Sequence, residues 1–208
     1  MRYRLVIFDF DGTLADSFPL FVRLLNAIAD ELDFRRIDEG EVETLRGYGP
    51  RELMAHLGVP GWKVPLIAGR MRSRMTREIA QVALFDGVSG LLRRLSAAGV
   101  RLAVVTSNTE ENVRRVLGAE NAALVDFYEC GASLFGKRVR LRRVLKRSGV
   151  AAHEAICIGD EIRDIDAARG ERIAFGGVSW GFATVEALLA HAPAELFLSV
   201  EEIADRIV

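Results

Sequence analysis

The chain has 208 residues, of which 50% are hydrophobic and 27% charged, and it carries a net charge of −1. That is the composition of a globular protein with enough apolar side chain to bury a core, and so balanced a charge excludes a global field that would recruit nucleic acid or an anionic membrane. No apolar run approaches the roughly 18 residues of a membrane span, and none long enough for a secretory leader precedes the acidic Asp9-Phe10-Asp11 segment, so the chain reads as cytoplasmic.

The first element is a run of four apolar residues, Leu5 to Phe8, with β-branched Val6 and Ile7 inside it. Such a run reads as a buried strand of a parallel sheet. It ends at Asp9 and Asp11, which alternation places on one side with Phe10 on the other. Gly12 and Thr13 follow, predicting a tight turn whose free N–H groups and hydroxyl suit an anion. Two carboxylates beside anion donors require a cation, and Mg²⁺ is the natural one, because it takes oxygen ligands and bridges carboxylates to phosphate.

A helix is predicted from Asp16 or Ser17, with Phe21, Leu24, Leu25, Ile28 and Leu32 at helical spacing. Asp38 to Glu41 carries a capping-box pattern ahead of a short helix that Gly47-Tyr48-Gly49-Pro50 breaks. Arg51 to Leu57 and Trp62 to Ile79 read as two more helices, and no strand is predicted over residues 15–83. From Phe85 onward helices and strands alternate. Helices are predicted over Gly87–Ala98, Glu110–Leu117, Arg138–Arg147, Ile162–Arg169, Thr184–Ala190 and from Val200. The strands fall at Arg101–Thr106, Ala123–Cys130, Glu154–Gly159, Arg172–Val178 and Glu195–Leu198. Alternation of this kind means an α/β fold, a Rossmann-like parallel sheet with helices on both faces. The expected division is a core of residues 1–16 and 84–208, with residues 17–83 as an all-helical cap inserted after the first strand.

In open α/β sheets the ligand lies beyond the carboxyl ends of the strands. Three strand ends carry polar groups there: Asp9 and Asp11, then Thr106-Ser107-Asn108, then Asp160 and Glu161 with Asp164 one helical turn on. Lys137, one of only three lysines with Lys63 and Lys146, opens a helix after Phe135-Gly136. Carboxylates for a metal, with hydroxyl, amide and ammonium groups for a phosphate, are the components of phosphoryl transfer. Cys130 and Cys157 lie in apolar strand-like runs and read as buried free thiols, which fits a reducing compartment.

In these four motifs, in this order, the chain resembles the haloacid dehalogenase superfamily and its phosphoglycolate phosphatase-like branch. The motifs are Asp9-Phe10-Asp11-Gly12-Thr13, Val104-Val105-Thr106-Ser107-Asn108, Lys137, and Gly159-Asp160-Glu161 with Asp164. Phe85-Asp86-Gly87-Val88 resembles the family's return to the core, with Asp86 where proline is common. The resemblance implies a Mg²⁺-dependent phosphatase acting on a small phosphomonoester. Asp9 would be the nucleophile that takes the phosphoryl group, and Asp11 the acid and base, meeting the metal through its backbone carbonyl. Asp160 would be a direct metal ligand, with Glu161 and Asp164 holding metal-bound waters or orienting the site. Thr106 and Lys137 would grip the phosphoryl oxygens, with Gly12, Thr13, Ser107 and Asn108 on the substrate side.

A sugar-phosphate mutase of the same fold uses the same motifs, and a receiver-type phospho-accepting module uses a similar acidic cluster, hydroxyl and lysine. A switch domain, however, has no use for a helical lid. A phosphonate-cleaving enzyme would need a cap lysine, for which Lys63 is the candidate, though its place at a helix start looks structural. Within the cap, Arg46 beside Gly47-Tyr48-Gly49-Pro50 can pair with a second anionic group of the substrate; otherwise it is a solvated charge ending a helix. The oligomeric state is not legible.

Overall fold

The computed structural model describes residues 2–131 and 136–208. Phe135, read with Gly136 and Lys137 as one motif, lies outside the described residues. The chain starts with β1 (Leu5–Phe8), buried throughout, and after a tight turn makes the two-residue strand β2 (Ala15–Asp16). The insertion follows as α1 (Phe18–Leu32), α2 (Val42–Leu45), α3 (Pro50–His56) and α4 (Val64–Glu78), and closes with β3 (Ala83–Leu84), which pairs antiparallel with β2. No strand was legible at either end of the insertion, because two residues are too few to show a period of two.

The capping box expected at Asp38 is also absent. Asp38 makes no side-chain cap, and the Glu41 carboxylate turns instead to Arg35 and to His56 Nε2, 2.8 Å away. Lys63 Nζ donates to the Leu32 carbonyl at 2.6 Å, placing a cation on the exposed carbonyls that end α1.

The second half runs α5 (Val88–Ala97), β4 (Arg101–Val105), α6 (Glu110–Leu124), β5 (Phe127–Glu129), α7 (Lys137–Ser148), β6 (Ala155–Gly159), α8 (Ile162–Gly170), β7 (Ala174–Val178), α9 (Val185–Leu189), β8 (Glu195–Phe197) and α10 (Val200–Ile207). Most boundaries fall within two residues of expectation, and the junction of α6 and β5 does not. The helix expected to stop at Leu117 kinks at Gly118, whose φ of +73° lies in the left-handed region, and then resumes to Leu124, so that β5 keeps only three residues of the predicted strand. Cys130 therefore lies beyond β5 and is partly exposed, whereas Cys157 is buried inside β6.

All six strands of the main sheet are parallel, in the order β5-β4-β1-β6-β7-β8. The chain winds outward from β1 through β4 to β5, then returns to β6 and winds the other way. β1 is thus flanked by β4 and β6, and the topological switch point falls at the carboxyl ends of these three strands. The sheet separates two apolar cores. Val6, Phe8, Phe10 and Leu102 face α5 and α10, whereas Leu5, Ile7, Ala103 and Cys157 face α7 and α8. A third cluster, built on Leu25, Ile28, Leu45, Leu53, Leu57 and Ile67, holds the insertion together, while Leu20 and Leu24 of α1 belong to the sheet's own core. Among the described residues, no helix is long and apolar enough to cross a membrane.

Candidate active site

Asp9 directly continues β1. Its N–H donates to the Ile158 carbonyl of β6 at 2.8 Å, and its Oδ1 accepts the Phe10 N–H at 2.8 Å, which leaves Oδ2 facing Lys137 Nζ at 2.8 Å. Lys137, the first residue of α7, also donates to Asp164 Oδ1 at 2.6 Å. Burial works against the Asp9 carboxylate, but the adjacent Lys137 ammonium outweighs it and holds its pKa below the ordinary value. Burial likewise works against the ammonium, and the Asp164 and Asp9 carboxylates outweigh it, so Lys137 remains charged.

The turn after Asp9 differs from expectation in one respect. Its N–H groups are not free, because Gly12 N–H closes on the Ala15 carbonyl at 2.9 Å and Thr13 N–H on the Phe10 carbonyl at 3.3 Å. Gly12 has φ +75°, and a Cβ there would come within 2.2 Å of Asp160 Oδ2. Only glycine permits that approach. The Thr13 hydroxyl donates to Asp160 Oδ1 at 2.8 Å, and the Phe182 N–H to Asp160 Oδ2 at 2.7 Å. Gly181 is pressed as closely, since a Cβ there would sit 2.1 Å from Asp160 Cβ. Asp160, at the end of β6, is therefore seated between the first turn and the 180–182 loop.

Asp9, Asp160 and Asp164 are all buried, and each offers one carboxylate oxygen within 4.8 Å of the others. Asp164 Oδ2 has no hydrogen-bond partner among the described residues. Burial and then the charges of Glu161 and Asp9 push Asp160 well above the carboxylate range, and burial raises Asp164 despite its bond to Lys137. A single ammonium cannot neutralise this group. An all-oxygen donor set with an unpartnered buried oxygen fits a hard divalent cation such as Mg²⁺. Glu161 stands aside from the trio, with its Oε1 paired to Arg163. Burial raises its pKa, with Arg163 opposing.

Asp11 occupies a different environment. Its Oδ2 accepts Asn108 Nδ2 at 3.3 Å, and its buried Oδ1 has no partner among the described residues. Burial, and next the charge of Asp9, push its carboxyl up to about 6, against the pull of Ser17 and Asn108. At the end of β4, Thr106 is buried, its Oγ1 accepting the Asn108 N–H at 3.0 Å, while Ser107 is exposed. The ends of β1, β4 and β6 thus meet as the sequence order implied.

Arg46 is held at the seam between insertion and sheet. Its Nη1 donates to the Gly181 carbonyl at 2.7 Å and to the Trp180 carbonyl at 3.3 Å, and its guanidinium stacks 4.5 Å from the Phe18 ring centre. Phe182 completes the seam against Phe18 and Phe21, with ring centres 4.9 and 5.8 Å apart. Sequence reading passed over Arg163, Asn112 and the backbone of Phe182. Arg163 adjoins Asp164, and Asn112 lies one helical turn after Asn108, so spacing was their only signal.

The model of a family described as haloacid dehalogenase-like hydrolase matches residues 6–178. Among curated proteins, a phosphoglycolate phosphatase of Synechococcus elongatus is 31% identical over 189 residues, covering 90% of this chain and 89% of that one. The tyrosine-protein kinase PtkA of Mycobacterium tuberculosis is also 31% identical, over 88% of this chain but only 64% of its own length. Among solved structures, a haloacid dehalogenase-like hydrolase of Streptococcus pneumoniae superposes with a TM-score of 0.84 at 21% identity, covering 100% of this chain and 99% of that one. This last likeness concerns the fold.

Proposed function

We propose that this chain, which belongs to the haloacid dehalogenase-like hydrolases and is a phosphoric monoester hydrolase on their phosphoglycolate phosphatase-like branch, hydrolyses a small phosphomonoester through an aspartyl-phosphate on Asp9 with Mg²⁺ bound. The observation that carries this reading is the division between the two carboxylates of the first turn. Asp9 is kept ionised by Lys137 at 2.8 Å, as a nucleophile must be, while Asp11 is pushed up to about 6 and can hold a proton near neutrality.

Asp9, Asp160 and Asp164 would hold the metal, with the Asp11 carbonyl and Glu161 nearby. Mg²⁺ would draw negative charge off the phosphoryl oxygens and bring the ester against the buried carboxylates. Asp9 Oδ attacks phosphorus while Asp11 gives its proton to the departing alkoxide. Asp11 then takes a proton from the water that releases phosphate and restores Asp9. Lys137, Thr106, Ser107 and Asn108 steady the phosphoryl oxygens, and Gly12 and Thr13 keep Asp160 seated beside them. Residues 17–83 serve as the cap that excludes bulk water and chooses the ester. The two free thiols suit a cytoplasmic setting.

The test is a panel of small phosphate esters, including phosphoglycolate, nucleoside monophosphates and an aryl phosphate, assayed with Mg²⁺ and with excess chelator. Mg²⁺-dependent release of phosphate from at least one ester is expected. Release unaffected by the chelator, with metal content confirmed as nil, would overturn the reading.

A further inference from the structure

Two hydrogen-bonded amides, a buried Asn112 and a half-buried Asn108, lead from the insertion to Asp11. Asn112, in the first turn of α6, is 4% exposed, and its backbone N–H is capped by the Thr109 hydroxyl at 3.2 Å. Its side-chain Nδ2 makes two bonds, one to Asn108 Oδ1 at 2.8 Å and one to Thr76 Oγ1 of α4 at 3.2 Å. Asn108 Oδ1 also accepts the Thr109 N–H at 3.0 Å. With two donors converging on that atom, it must be the carbonyl oxygen of the carboxamide, and the amide nitrogen is necessarily the atom turned to Asp11 Oδ2 at 3.3 Å.

We infer that Asn112 is a positioning residue which fixes the carboxamide of Asn108 against Asp11 and, through Thr76, ties that setting to the seating of the cap. The inference rests on the role of Asp11 as acid and base. The physical reason is directional. An unrestrained Asn108 could present its oxygen to Asp11, repelling the carboxylate, whereas the two donors on Oδ1 leave only the donor face available. Among the described residues, Thr76 is the sole residue of the insertion that bonds the Asn112 side chain, so lifting α4 would remove one of its two acceptors. The amide could then turn, loosening its hold on Asn108.

The effect should appear where the acid matters. An alkyl phosphate needs its leaving oxygen protonated, and p-nitrophenyl phosphate scarcely does. In Asn112→Ala, and equally in Asn112→Asp, which keeps the shape but removes the donors, kcat/KM for glycerol phosphate should fall about tenfold more than for p-nitrophenyl phosphate. Thr76→Val should shift the same ratio in the same direction by less. The crystal structure of the Asn112→Ala protein should show the Asn108 carboxamide turned away from Asp11. Equal losses on both esters, an unchanged ratio, or an Asn108 amide still on Asp11 would overturn the inference, and an unchanged ratio in Thr76→Val would overturn the cap's part in it. A wild-type protein that turns over neither ester with Mg²⁺ would count against the phosphatase reading instead, and the crystallographic comparison would still decide the placement of Asn108.

Discussion

Arg46 of the insertion donates to the carbonyl of Gly181, 2.7 Å away, in the loop whose next residue, Phe182, donates its N–H to Asp160 at 2.7 Å. An arginine of the insertion is therefore linked, through Gly181 and Phe182, to Asp160 of the buried carboxylate trio. This placement differs from that of a solvated charge ending a helix, because the guanidinium is partly buried and donates to backbone carbonyls of the neighbouring loop.

Arg46→Ala removes the hydrogen bonds to Gly181 and Trp180 and the stacking on Phe18, so stability measured by denaturant unfolding should fall by about 1–2 kcal/mol. The same change should lower kcat/KM for an anionic ester and for an aryl phosphate alike, because it loosens the seat of Asp160. A loss confined to the anionic ester would return Arg46 to the role of substrate contact.

The metal prediction follows from mutual repulsion. Asp160 has its pKa raised well above the ordinary value, so at neutral pH its ionised form opposes folding while no cation is present. Asp160→Asn should raise the Tm of the chelator-treated protein and abolish the further rise that Mg²⁺ gives the wild type. A variant with a lower Tm that still responds to Mg²⁺ would contradict the assigned trio.

Glu171 supplies a prediction in pH. Its carboxylate accepts Arg142 Nη2 at 2.7 Å and Arg138 Nε at 2.7 Å, bracing α7 against the end of α8 so that Lys137 meets Asp164. The hydrogen bond from Arg142 is the main cause that brings its pKa from 4.5 down to about 2. A lowered folded-state pKa means stability that is complete above 4.5 and lost as the pH falls toward about 2. Because both arginines are largely exposed, the contribution is about 1 kcal/mol. Glu171→Gln should be destabilised by that amount at pH 7, and the gap from wild type should close on acidification through this window. A gap that stays constant with pH would remove the ion pairs as its cause.

What was legible in the sequence was whatever a short local pattern encodes. The run Leu5 to Phe8 ending at Asp9 identified the central strand, and the polar ends at Thr106 and Asp160 identified its two neighbours. Those strands are buried on both faces, so their apolar runs are unbroken. The β2–β3 ribbon was not legible, because two residues carry no period. The resumption of α6 after Gly118 was hidden because a glycine there reads as a stop. Long-range pairing was equally hidden: nothing local places Arg46 on Gly181, or Asn112 between Thr76 and Asn108, since each contact joins segments that only the finished fold brings together. Thr13 looked like an anion donor, yet its hydroxyl turns to Asp160 once β6 lies beside β1.

The central claim is that Asp9 carries the phosphoryl group while Asp11 handles the proton, and the Asp11→Asn protein tests it most directly. Acid-quenched after mixing with an aryl phosphate and Mg²⁺, it should yield a phosphorylated peptide that maps to Asp9, because that leaving group needs no proton and the second step has lost its base. Asp9→Asn under the same conditions should give neither label nor turnover. Label on any other residue, or turnover that survives in Asp9→Asn, would contradict the account.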